Sequence, residues 1–139
     1  MWFSDKEGMS GPRMDMNKKR VLIVDDENKS RMLLDALMTS LDFETVLAND
    51  GVQAIEILVR DPSFDLIITD IAMSGQSGFD FTGKLKHSAK FQKIPVIATS
   101  AFKDWKKAKA EKELTLDGFV PKPVTKNILK NEIEKVLGG

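Results

Sequence analysis

The sequence predicts an α/β domain built on a parallel sheet with helices on both faces. Two observations carry this. Short apolar runs of strand length alternate with amphipathic segments of helix length from Lys19 onward. The runs are too short for helices and rich in β-branched residues, as fully buried parallel strands are. Right-handed crossovers leave few ways to connect such a pattern.

The elements follow in order. "VLIV" (21–24) is a buried strand. A helix starts near Asn28, read as its N-cap, with Met32, Leu33, Ala36, Leu37 and Leu41 on its apolar face. "ETVLA" (44–48) is the second strand. Asp50 and Gln53 have the spacing of a capping box and open a helix through Val52, Ile55, Leu58 and Val59, with Pro62 beyond its end. "LIIT" (66–69) is the third strand, followed by a glycine-bearing loop and a short helix around Phe79 to Leu85. "PVIATS" (95–100) is the fourth strand, and a charged helix is expected near Asp104 to Glu113. "GFV" (118–120) is a short fifth strand. The last helix presents Ile128, Leu129, Ile133, Val136 and Leu137. Five strand-helix units make a (βα)5 domain, expected over 19–139. Residues 1–18 show no periodicity and read as a flexible N-terminal arm.

Composition narrows the function. The chain has 139 residues, enough for one core without staples. Its 21 basic and 21 acidic side chains cancel, which gives no reason to expect a nucleic-acid or membrane partner. There is no cysteine, hence neither a disulfide framework nor a thiolate metal site. No apolar run has membrane-spanning length, and the N-terminus lacks the apolar core of a signal peptide. A cytoplasmic location is the expectation.

In open parallel sheets, ligands bind at the C-terminal edge of the strands. Asp25 and Asp26 end the first strand, Asp70 the third and Ser100 the fourth, and Lys122 follows the fifth. All five polar groups should converge on one rim. Adjacent carboxylates repel and are costly where an apolar strand ends, unless a cation compensates them. Three carboxylates in one shallow site suit a hard divalent cation such as Mg2+, which takes oxygen ligands at about 2.0–2.1 Å. Lys122 adds a compact positive charge and Ser100 a hydrogen-bond donor. Together these groups suit phosphoryl transfer to a carboxylate, with Asp70 as acceptor.

"VLIVDDE", "LIITDIAM", "PVIATSA" and "GFVPKP", in this order, resemble the receiver domain of two-component response regulators. The resemblance covers residues 19 to 137. It implies a flavodoxin-like doubly wound sheet in strand order 2-1-3-4-5. It also implies that Asp25 and Asp26 are the acidic pair holding Mg2+, that Asp70 is the phosphoacceptor, and that the backbone carbonyl of Ala72 is a further metal ligand. Ser100 then takes the place of the switch hydroxyl, and Ala101 that of the small residue leaving room for the phosphoryl group. Lys122 takes the place of the phosphate-binding lysine, and Phe119 that of the aromatic that moves on activation. The Lys122–Pro123 bond is expected cis. The implied partners are a sensor histidine kinase or phosphotransfer protein upstream, and a downstream protein met by the face of the fourth helix (104–113), fifth strand and last helix.

Departures from the family pattern are also legible. Ser74 stands where proline is usual, Ala72 offers no side chain to orient a water, and Phe102 is bulky and apolar. These bear on the lifetime of the phosphoryl group. His87, the only histidine, lies among lysines and reads as an exposed bystander. Trp105 in the lysine-rich run is a candidate partner anchor, with packing on the adjacent loop as its alternative. A haloacid-dehalogenase-type phosphatase needs a second acid at the position of Ala72, which weighs against an enzyme. A pseudo-receiver should lack an acid, the acceptor or the lysine, and none is missing. The chain stops two glycines after its last helix, so a stand-alone regulator or a receiver excised from a longer protein is expected.

Overall fold

The structure is a computed structural model and describes residues 18–71, 78–101 and 116–138. Strands β1 (Arg20–Val24), β2 (Glu44–Ala48), β3 (Leu66–Asp70), β4 (Val96–Ala101) and β5 (Gly118–Lys122) form one sheet, in order β2-β1-β3-β4-β5. Every pairing is parallel. Helices α1 (Asn28–Ser40), α2 (Gly51–Arg60), α3 (Gly78–Lys86) and α4 (Lys126–Ile133) connect or follow the strands; the last runs on into a π-helical turn, Glu134–Gly138. The expected helix over 104–113 and residues 1–17 of the expected arm over 1–18 lie outside the described residues.

Alternation along the strands builds two cores. Leu22, Val24, Ile67 and Val96 pack with Ala54 and Leu58 of α2 and Phe81 and Leu85 of α3. Val21, Ile23, Leu66, Ile68, Ile97 and Val120 face the other way, onto Leu34 and Met38 of α1 and Leu129 and Ile133 of α4. Each central strand is therefore apolar on both sides, which is why the sequence shows runs rather than alternation.

Several helical faces differ from expectation. In α1 the buried residues are Leu34 and Met38, with Leu37 and Leu41 packing beside them, whereas Met32, Leu33 and Ala36 are exposed. Two apolar stripes overlap on this helix, and periodicity alone does not say which one meets the sheet. Asn28 is the first helical residue rather than the N-cap; Glu27 holds that position without a side-chain cap bond. In α2, Ala54 and Leu58 are buried while Val52 and Val59 face solvent. Ile128 of α4 is likewise exposed. The Asp50–Gln53 pairing does form: Asp50 Oδ1 accepts the Gln53 N–H at 2.8 Å, and Gln53 Oε1 accepts the Asn49 N–H at 2.6 Å.

At the N-terminal end of the sheet, Arg20 is buried and pairs through Nε with Glu44 (3.0 Å) and through a terminal nitrogen with Asp61 (2.7 Å). Its guanidinium carbon lies 4.5 Å from the centre of the Phe64 ring. This cluster anchors β1 at the end remote from the carboxylates.

Candidate functional site

Strand register gathers the acids. Val24 pairs with Thr69, so the next residues, Asp25 and Asp70, leave β1 and β3 at the same level. One carboxylate oxygen each from Asp25, Asp26 and Asp70 lie within 4.8 Å of one another. Asp25 is wholly buried, Asp70 nearly so, and Asp26 is exposed. An all-oxygen donor set of this kind fits a hard divalent cation, with open positions left toward solvent on the Asp26 side.

Lys122 reaches in from β5. Its Nζ lies 3.1 Å from Asp70 Oδ2 and 3.3 Å from Asp25 Oδ2. Burial works against the charge on Lys122, but Asp70 and Asp25 outweigh it and hold the ammonium above its ordinary pKa. Asp25 moves in the opposite sense to most paired acids. Its burial raises the carboxyl above the usual range, the Asp70 charge adds to this, and the Glu27 N–H (2.9 Å) and Lys122 only partly offset it. A buried acid kept from its preferred charge state has much to gain from a cation.

Ser100, at the end of β4, is 1% exposed, and its Oγ has no hydrogen-bond partner among the described residues. Buried hydroxyls are seldom left so. Thr99 Oγ1, beside it and paired across the ladder with Asp70, is in the same condition. Ala101 is exposed and stands opposite Lys122. Phe119 is half-buried on β5, two residues before Pro121, which stands opposite Ser100. The Lys122–Pro123 peptide is cis, as expected. The predicted convergence therefore holds for Asp25, Asp26, Asp70 and Lys122, with Ser100 on the adjacent strand end. Ala72, Ser74, Phe102 and Trp105 lie outside the described residues.

Two residues of the site went unnoticed in the sequence. Ser30 Oγ accepts from Lys122 Nζ at 3.3 Å and donates to Glu27 Oε1 at 2.6 Å. Their signal is an i, i+3 spacing in the first turn of α1, informative only once that turn is known to face the rim.

Residues 21–134 match the model of the response regulator receiver domain. The chain belongs to the response regulator receiver family. This receiver is 30% identical to the chemotaxis protein CheY of Pseudomonas aeruginosa over 84% of the present chain and 94% of that protein. It is also 30% identical, across 87% of its length, to the 3',5'-cyclic-nucleotide phosphodiesterase regA of Dictyostelium discoideum, but spans only 16% of that larger protein. Among solved structures, the receiver domain of the sensor histidine kinase PA1611 of Pseudomonas aeruginosa PAO1 has a TM-score of 0.78 at 21% identity. That match covers 88% of this receiver and 99% of the solved chain, which is described with a magnesium ion coordinated in its active-site cleft. No described helix is long and apolar enough to cross a membrane.

Proposed function

We propose that this receiver is a signalling phosphoacceptor. It takes a phosphoryl group onto Asp70 from a histidine kinase or phosphotransfer protein and thereby alters a protein-binding face. The observation that carries the reading is the placement of Lys122 Nζ over Asp70 and Asp25, within a cluster of three carboxylates. A fixed ammonium beside a nucleophilic carboxylate is what a transferring phosphoryl group needs at its equatorial oxygens.

An oxygen of Asp70 attacks phosphorus as the bond from phosphorus to the donor's imidazole nitrogen breaks. The electron pair stays on that nitrogen, and an acyl phosphate remains on Asp70. Lys122 then exchanges its bond to Asp70 for one to a phosphoryl oxygen. Ser100, whose hydroxyl has no partner among the described residues, donates to another. Asp25, Asp26 and Asp70, with the backbone carbonyl of Ala72, would hold Mg2+, which supplies positive charge to the phosphoryl oxygens when bound. The magnesium-bearing receiver of the same fold supports that choice of metal. Ala101 leaves room for the group, and Phe119 turns toward the space that Ser100 gives up. The face altered is that of the segment 104–113, β5 and the last helix, where Trp105 is a candidate anchor.

The chain acts on no separate substrate, so it is a phosphoprotein switch in the cytoplasm rather than an enzyme, with slow self-dephosphorylation. Incubation with acetyl phosphate or phosphoramidate and Mg2+ tests this. One base-labile acyl phosphate per chain is expected, lost in Asp70→Asn; full labelling of that variant would overturn the assignment.

A further inference from the structure

We propose that Ser30 is a positioning residue for the Lys122 ammonium, with Glu27 fixing the direction of its hydroxyl. The inference rests on the reading of Lys122 as the group that meets the transferring phosphoryl.

A primary ammonium has three N–H donors and no acceptor. Here three oxygens surround it: Asp70 Oδ2 at 3.1 Å, Asp25 Oδ2 at 3.3 Å and Ser30 Oγ at 3.3 Å. Two come from strand ends and one from the first turn of α1, so the lysine tip is held from three elements. The Ser30 bond has a defined sense. Ser30 Oγ lies 2.6 Å from Glu27 Oε1, a carboxylate oxygen that only accepts, so the serine proton is spent there. The oxygen therefore meets Lys122 with a lone pair.

Position is what this contact controls. The lysine stem has four rotatable bonds, and Lys122 lines a cavity of about 380 Å³ together with Lys29, Ser30, Leu33 and Val124. The cavity gives the ammonium somewhere to go when its third acceptor is lost. Ser30 keeps it over the acceptor carboxylate, where it lowers the barrier to transfer.

The test reads Lys122 directly, by nitrogen-15 NMR of lysine ammonium groups in the full chain, without phosphodonor or metal. In Ser30→Ala, exchange of the Lys122 ammonium protons with water should quicken about tenfold, the factor carried by one charge-assisted hydrogen bond. Ser30→Thr should restore the slow exchange. Ser40→Ala, which removes a hydroxyl bonded to the Leu37 carbonyl at the far end of α1, should leave it unchanged. With acetyl phosphate and saturating Mg2+, Ser30→Ala should also label about threefold to tenfold more slowly, again rescued by threonine. Exchange within twofold of wild type in Ser30→Ala would overturn the tether. An unaltered labelling rate beside faster exchange would overturn its role in transfer. Failure of wild-type labelling at Asp70 would instead count against the phosphoacceptor reading, and the metal-free exchange measurement separates the two.

Discussion

Phe119 donates its backbone N–H to Glu132 Oε2 at 2.9 Å, joining the edge strand β5 to the helix that follows it. Edge strands leave such donors open to foreign chains, and here a helical carboxylate closes one. The contact depends on Gly118. A Cβ at that position would lie 2.8 Å from Glu132 Oε2 and 2.9 Å from Val136 Cγ2. Gly118→Ala should therefore push the carboxylate off Phe119 and cost about 1–3 kcal/mol. Urea denaturation would measure the loss, and a downfield-to-random shift of the Phe119 amide would report the broken bond. Glu132→Gln should be milder, because its amide oxygen can still accept.

The Arg20 cluster makes a separate expectation about stability and acid. Arg20→Ala removes the packing on Phe64 and the bonds to Glu44 and Asp61, and should cost about 1–3 kcal/mol. Asp61 is held below its ordinary pKa, chiefly by the Ser63 hydroxyl; burial opposes this, and the Arg20 guanidinium and the Ser63 N–H add smaller lowering effects. Its folded carboxyl is the stronger acid, so its contribution is present above the unfolded value near 3.8 and is lost as pH falls through the folded one. Since Asp61 is nearly half exposed, that contribution should be about 1 kcal/mol or less. Chemical denaturation of wild type and Asp61→Asn should differ at pH 7 and converge as pH falls through the folded value of Asp61.

Asp26 is the exposed member of the carboxylate trio, whereas Asp25 and Asp70 are buried and engaged by Lys122. Asp26→Ala should leave the fold intact and weaken Mg2+ binding at least tenfold, since even outer partners of metal ligands are worth about 10–100-fold. Titration of Mg2+ followed by amide shifts at Asp25 and Asp70 checks this, and phosphorylation should fall in parallel. An unchanged affinity would remove the acidic pair from the metal site.

The rim was legible in the sequence because each of its groups is tied to a strand end. A strand that stops at Val24, and another that runs to Asp70, fixes where those acids stand once the sheet is parallel. The order 2-1-3-4-5 came from the resemblance, since an apolar run does not state its neighbour. Helical faces were read less well. Met32 and Leu33 continue the apolar stripe of α1, yet the sheet takes Leu34 and Met38, a choice made by docking geometry rather than by periodicity. Ser30 was invisible for a related reason. A serine in a first helical turn is ordinary, and only the reach of Lys122 from 92 residues away gives it a role.

Lys122 itself supports the last expectation. Its ammonium lies between two buried carboxylates, one of which, Asp25, is already raised by burial and by the charge of Asp70. In Lys122→Ala the acids face each other without that cation, so Asp25 should titrate higher still. The sign follows directly. A carboxyl raised on folding favours the folded state below its unfolded value near 3.8, and that advantage is lost as pH rises through the folded value. Metal-free Lys122→Ala should accordingly lose stability relative to wild type as pH rises from 4 toward 7, and Mg2+ should recover part of it. The acceptor oxygen on Asp70 is untouched, so the variant should still be labelled by acetyl phosphate, more slowly. What it should lose is the response beyond the rim. Phosphorylation adds about −1.5 to −2 charge at Asp70, and Lys122 is the group on β5 that can follow it. Beryllofluoride should shift the amides of Phe119 and the flanking β5 residues in wild type and leave them nearly still in Lys122→Ala. Equal shifts in both proteins would mean that the signal leaves Asp70 by another route, with Ser100 on β4 as the next residue to test.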